Sequence, residues 1–478
     1  MNFIVYDIAL LVIFAIVVAI FLIRNKKKLK REGLLFLYKA DWGIKLINRI
    51  GKKHEKALRV LSYVSIAIGF LLMAGIFYLF GRILWIYIFN PAVVKAIKIP
   101  PILPLFPYLP QVFKLDFLPP FYFIYWIIVI AIVAITHEFS HGIFAAYNKV
   151  KIKKTGFGFF PFFLPVFLAA FVELDEKIMA TKEKIKQMAI LSAGAFANVI
   201  TAVLFFFLLW GFFVASFTPA GVSFDIYSYS PVIMSQIKSI DNITFAMVPN
   251  QQDLLNSVNP NGTSVIKTVN NQYVVTKDFL EQQKNTVNYI LLYNNLPAIN
   301  AGLTGAISKI NGVSIDSREK LSSEISKYSP GNVVTIETKS VEGDKTYKIT
   351  LGENPEDKTK PLIGIGFMNQ PDTGIMGKIS NLIYSMKKPN VYYEPKFGAA
   401  SFINDLLWWL VLISFSVALV NMLPVGIFDG GRFLFLAVWG ITKDRNKAEK
   451  TFKFLTYLIL LFVLVLMIFW GIGVFGKA

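Results

Sequence analysis

The sequence predicts an α-helical polytopic membrane protein of about six transmembrane helices, with an α+β domain inserted on the extracytoplasmic side. Three observations carry this reading. Six stretches are long and apolar enough to cross a bilayer as helices, which takes about 20 residues each. The chain is 55% hydrophobic with a mean hydropathy of +0.55, above the apolar usage of about 45–50% found in soluble domains. Residues 218–400 break the pattern, because their composition is that of a soluble domain and their basic and acidic side chains nearly balance.

The six stretches are 3–23, 60–80, 121–147, 187–214, 402–422 and 452–475. The first is longer than a signal-peptide core, lacks a basic start and is followed by no small-residue cleavage site, so it reads as a span or an uncleaved anchor. Basic residues cluster in residues 24–31 (RNKKKLKR) and at Lys52, Lys53, Lys56 and Arg59. They recur in residues 149–154, at Lys182, Lys184 and Lys186, and at Lys443, Arg445, Lys447 and Lys450. All of these share one side if both termini and residues 218–400 share the other. Lys and Arg favour cytoplasmic loops, so the basic side is the cytoplasm. The net charge of +19 is thereby explained without nucleic acid as a partner. The expected divisions are 1–59 (first span and basic loop), 60–216 (membrane), 217–400 (extracytoplasmic) and 401–478 (membrane). The chain has no cysteine, which excludes disulfides, thiolate metal sites and cysteine nucleophiles.

Two apolar stretches do not read as spans. Residues 98–120 are broken by prolines, and residues 155–172 carry Pro161, Pro165, Gly156 and Gly158 with cytoplasmic charges at both ends. The second is expected to enter and leave by one face, a re-entrant segment of irregular backbone beside a cavity. Within the soluble stretch, strands are expected over 289–293, 306–311, 333–339 and 346–351, with helices over 298–302 and 317–327. Residues 296–312 (LPAINAGLTGAISKING) resemble the turn and strand of a PDZ domain, which would occupy about 287–370. Residues 218–287 either complete that fold or form an insertion.

Only three histidines exist, and two of them make His137-Glu138-Phe139-Ser140-His141. Positions i and i+4 share a helix face, so both imidazoles can reach one ion, while Glu138 between them is placed to move a proton. Zinc accepts neutral imidazole and needs no thiolate, which suits this composition. Ionisable residues inside a span are costly and functional by default. The alternative, packing and a helix-dipole contact for His141, explains one residue and not three. His54, in the Lys-rich KKHEK run, reads as a surface residue.

A catalytic zinc with two histidines takes one more protein ligand and keeps a position open. Asp429 is the candidate, closing the fifth span after Asn421, Pro424 and Gly426, the last two breaking the helix. Taken alone, Asp429-Gly430-Gly431 is more often a helix-ending turn than a ligand. Arg432, just after it, reads as an interfacial anchor.

H-E-x-x-H in one span and N-x-x-P-x-x-x-x-D-G (421–430) in a later one resemble the site-2 protease family of intramembrane zinc metalloproteases. Residues 193–198 (AGAFAN) resemble its A-G-P-x-x-N pattern, with Ala195 where that family has proline. The resemblance implies that His137, His141 and Asp429 bind Zn2+, that Glu138 is the general base, and that Asn421 holds the substrate backbone or the oxyanion. It leaves Asn198 as support, through a buried interhelical hydrogen bond. It further implies peptide hydrolysis within or near a transmembrane segment of a membrane-protein substrate, with the PDZ-like domain capturing a C-terminus or excluding bulky partners. A CAAX-type membrane zinc protease would take a downstream Glu as its third ligand, and a metal-ion transporter would leave Glu138 without a role.

Overall fold

The protein is described here by a computed structural model covering residues 3–32, 35–90, 105–115, 118–159, 168–283, 288–340, 343–368 and 387–475. It divides into two compact units, Met1–Phe212 with Ser401–Ala478, and Phe213–Ala400.

In the first unit each apolar stretch forms a helix: α1 (Phe3–Arg24), α3 (Glu55–Phe89), α4 (Phe123–Tyr147), α5 (Lys184–Ser216), α6 (Ala400–Asn421) and α8 (Arg445–Phe475). All six are long and apolar enough to cross a membrane. Large apolar side chains stand bare along them, with Leu71 68% and Phe207 58% exposed. Only a lipid solvent leaves such faces uncovered without a penalty. Shorter helices accompany them. In α2 (Ile44–Lys53) Ile47 is buried with Ala146 of α4, while Lys52 and Lys53 face outward. α7 (Asp429–Thr442) buries Phe433 and Leu436 on one side. The core of the unit gathers Ile190, Ala193, Met422 and Phe433 from α5, the α6–α7 connection and α7.

The segment expected to be irregular is instead half of an antiparallel sheet. Strands β1 (Leu29–Glu32), β2 (Leu35–Ala40), β3 (Ile152–Phe159) and β4 (Leu168–Leu174) lie in that order. β3 pairs with β2 on one side and β4 on the other, so the polar main chain of residues 155–159 and 168–172 finds its partners in neighbouring strands. Residues 160–167, with Pro161 and Pro165, lie outside the described residues. Among the described residues β4 is an edge strand.

The second unit holds two six-stranded sheets with separate cores. One runs Lys345–Thr350, Val333–Lys339, Ala306–Ile310, Phe217–Val222, Val391–Pro395, with Val313–Ser314 beside Ala306–Ile310. Its core includes Ile307, Ile310, Val334, Ile336 and Leu321 of the helix Arg318–Ile325. The other runs Tyr229–Ile233, Tyr289–Asn294, Gln272–Thr276, Thr263–Thr268, Ile237–Ile240, Ile243–Thr244. It buries Ile240, Leu254, Ile266, Leu280 and Ile290. Residues 218–287 divide between the two sheets. Their first strand completes one sheet, and the rest builds most of the other. The strand 289–294 belongs to that second sheet.

Candidate metal centre

α4 begins without a side-chain cap of its own. The cap comes from α1, where the buried Asp7 accepts hydrogen bonds from the main-chain N–H groups of Phe123 (2.7 Å) and Ile124 (3.0 Å). The Tyr108 hydroxyl donates to the same carboxylate at 2.6 Å. A carboxylate at a helix N-terminus satisfies orphan donors and meets the positive end of the helix dipole.

Near its other end α4 carries His137, Glu138 and His141. Both imidazoles are buried, each 8% exposed, and their Nε2 atoms stand 3.0 Å apart. Asp429 Oδ2 lies 3.3 Å from His137 Nε2 and 3.2 Å from His141 Nε2. The sequence reading had Asp429 closing the fifth span. Instead α6 ends at Asn421, and Asp429 is the first residue of α7, with Phe428 as its cap. The chain between folds back on itself so tightly that a Cβ on Gly430 would sit 2.3 Å from the Met422 carbonyl carbon. Only glycine permits that approach, and it is what returns Asp429 to α4.

The ligand atoms of the three residues lie within 4.8 Å of one another. Two imidazole nitrogens and one carboxylate oxygen are the donor set of a catalytic zinc with one position open. Space also fits. A Cβ on Gly194 of α5 would come within 2.4 Å of His141 Nε2 and 2.6 Å of His137 Nε2, so α5 presents bare backbone to both rings. His141 Nδ1 lies 2.7 Å from the Ile190 carbonyl, an acceptor that holds the ring proton on Nδ1 and leaves the Nε2 lone pair toward Asp429.

Glu138 stays outside this group. Its Oε2 accepts from the Val172 N–H of β4 at 2.9 Å. It borders a cavity of about 300 Å³ with His137, His141, Asp429, Asn421 and Glu176. Asn421 thus shares the cavity, while Asn198 meets His137 from the opposite side (Nδ2 to Nδ1, 3.1 Å). His54 is exposed at the α2–α3 junction. The Arg432 guanidinium pairs with Glu176, which lines the same cavity. Glu176 opens a short helix (Glu176–Ala180) capped by Asp175, which accepts from the N–H groups of Lys177 and Ile178. The Ile178 N–H, with Lys153 close by, holds the Asp175 carboxyl below its usual range.

Sequence reasoning passed over Asp7, Val172, Ile190 and Glu176. Asp7 alone left a trace, as the single carboxylate inside the first apolar span. Val172 and Ile190 act through main-chain atoms, which no side-chain motif records.

The sequence profile of peptidase family M50 matches residues 125–466. The zinc metalloprotease RasP of Shouchella clausii is 26% identical over 185 residues, covering 33% of this chain and 44% of that protein. An uncharacterized protein of Methanocaldococcus jannaschii is 30% identical over 203 residues, covering 42% of this chain and 50% of that protein. The chain thus spans about half the length of these relatives. The matched profile takes in both halves of the membrane unit and all three metal-site residues, and the chain belongs to peptidase family M50, the site-2 protease family of zinc metalloproteases.

Proposed function

We propose that this chain is an intramembrane zinc endopeptidase that hydrolyses a peptide bond within or near a transmembrane segment of another membrane protein, as a step of regulated intramembrane proteolysis. The observation that carries the reading is the convergence of His137, His141 and Asp429 beside Glu138, next to an edge strand, on helices long and apolar enough to span a bilayer. His137, His141 and Asp429 are the zinc ligands. Zinc, when bound, supplies Lewis-acid polarisation of a carbonyl and acidifies water.

The remaining steps fall to side chains and backbone. Glu138 takes a proton from the attacking water and returns it to the leaving amine. Asn421, on the cavity wall, donates to the substrate carbonyl as charge develops on it. A second cavity of about 380 Å³ shares His137, Glu138 and Asn421 and continues between Val133 of α4, Ala170 of β4 and Val417 of α6. Its apolar walls suit the side chains of a membrane segment. A helical substrate hides its carbonyls, so the scissile stretch must unwind, and the open edge of β4 offers an extended segment the main-chain partners it loses.

The protein is placed in the cell membrane with its active site toward the cytoplasm and residues 217–400 outside, on the distribution of Lys and Arg. Residues 287–370 are read as PDZ-like. In support, a groove of about 450 Å³ runs between Leu321 and Ile325 of one helix and Ile363, Ile365 and Phe367 of an extended segment. It would take the C-terminus of a substrate cut beforehand, or limit access by bulky outer domains.

The test is cleavage of a single-span protein by the purified chain in detergent, beside Glu138→Gln and a chelator-treated sample. Product from the unmodified protein alone supports the reading, and equal product from all three refutes it.

A further inference from the structure

Three positions of α5 meet the histidine pair, and they are spaced four apart: Ile190, Gly194 and Asn198. That spacing puts them on one face. Gly194 provides room and the Ile190 carbonyl fixes the His141 tautomer, so α5 treats His141 as a metal ligand must be treated. Asn198 occupies the equivalent place behind His137, fully buried, with Nδ2 3.1 Å from Nδ1 and Oδ1 3.4 Å from Thr136 Oγ1.

In that orientation the carboxamide donates to Nδ1, and the ring proton sits on Nε2, facing Asp429. A cation at the three donors requires the opposite, with the lone pair on Nε2 and the proton on Nδ1. The Nδ1 proton then needs an acceptor, and Asn198 can supply one by a half-turn of its carboxamide, whose two ends are close to isosteric. Thr136 makes the half-turn free of loss. Its hydroxyl proton already has carbonyl acceptors in Ile132 (2.9 Å) and Val133 (3.1 Å), so its lone pair is available to the rotated Nδ2.

We infer that Asn198 is a positioning residue: in the zinc-loaded protein its Oδ1 accepts the Nδ1 proton of His137 and holds Nε2 on the metal. The inference rests on the ligand set proposed above. It assigns the Gly194-to-Asn198 stretch a purpose in the metal's second layer, where an interhelical clip alone would need only a donor.

The experiment measures zinc affinity of the full-length protein in detergent by competition with a chromophoric chelator, alongside thermal melting of the metal-free form. Asn198→Ala should weaken zinc by about 10–100-fold, the usual effect of losing a hydrogen-bond partner behind a metal ligand. Asn198→Asp, which can only accept, should stay within about threefold of the unmodified protein or bind more tightly. Asn198→Asp as weak as Asn198→Ala, at an unchanged metal-free melting point, would show that the side chain acts by donating and overturn the inference. So would Asn198→Ala with undiminished affinity. If the alanine variant does not fold, Asn198→Asp weakened more than about threefold at an unchanged metal-free melting point overturns the inference. Failure of the unmodified protein to bind zinc would instead sink the ligand set itself.

Discussion

Glu138 Oε2 and the Val172 main-chain N–H are hydrogen-bonded at 2.9 Å, so the carboxylate beside the metal group is clamped to the outer edge of a β-sheet. In an antiparallel ladder, alternate residues point their main-chain groups away from the paired neighbour. Val172 is therefore one of the outward positions of β4, with Ala170 and Leu174 in phase. The first adding strand to reach that edge must compete with Glu138 for the Val172 N–H.

Val172→Pro removes that N–H and keeps the segment extended. We expect kcat/KM for a single-span substrate to fall by about 10–100-fold, the scale of a misplaced reacting group, while the zinc content of the purified protein stays unchanged. Loss of zinc together with activity would mean that the β4 edge supports the metal group and not the substrate or the base.

Gly194→Ala puts a methyl where His141 Nε2 stands 2.4 Å away. Zinc affinity should drop by on the order of tenfold or more, because the rings must rotate out of register or α5 must withdraw. Titration of the metal-free protein with zinc, followed by chelator competition, checks this.

Asp7→Ala leaves the Phe123 and Ile124 N–H groups and the Tyr108 hydroxyl without their acceptor. A lost cap and a stranded buried donor each cost about 1–2 kcal/mol. The unfolding midpoint in detergent should fall, and Asp7→Asn, which retains one acceptor oxygen, should recover part of the loss. Equal stability of all three proteins would remove α1 from the support of α4.

The short helix Glu176–Ala180 has a pH dependence whose sign is set by Asp175. Its carboxyl is held below the usual range, so the ionised form stabilises the folded helix above the unfolded value of about 3.9. That contribution disappears as pH falls below it. Amide exchange at Lys177 and Ile178 should show protection at neutral pH and a loss in the acid range, after correction for intrinsic rates. Asp175→Ala should remove the acid-dependent step.

How much of this was readable beforehand depends on what each residue contributes. The six helices rest on unbroken apolar runs, and His137, Glu138 and His141 sit at a spacing that a helix converts directly into proximity. Asp429 was readable as a ligand candidate but not as the start of a helix, since Asp-Gly-Gly marks a turn by composition and becomes a helix N-terminus only because Gly430 fits against Met422. The four-stranded sheet was missed for a different reason. β1 lies in the run of lysines and arginines that fixes topology, and β3 and β4 lie in a Phe-rich stretch without clean alternation, so neither shows the period of a half-buried strand. Residues 218–287 share this difficulty, since one of their strands pairs far along the chain with Val391–Pro395.

The insertion of the Phe213–Ala400 unit between α5 and α6 has a temporal meaning. Asp429 is synthesised only after that whole unit has been made, which at about 5–20 residues per second takes roughly ten to forty seconds. Throughout that interval the growing chain holds the histidine pair, its glycine cradle and the Glu138 clamp, but not the carboxylate proposed as third ligand. On the ligand set proposed above, the donor set is therefore incomplete until that unit has been made.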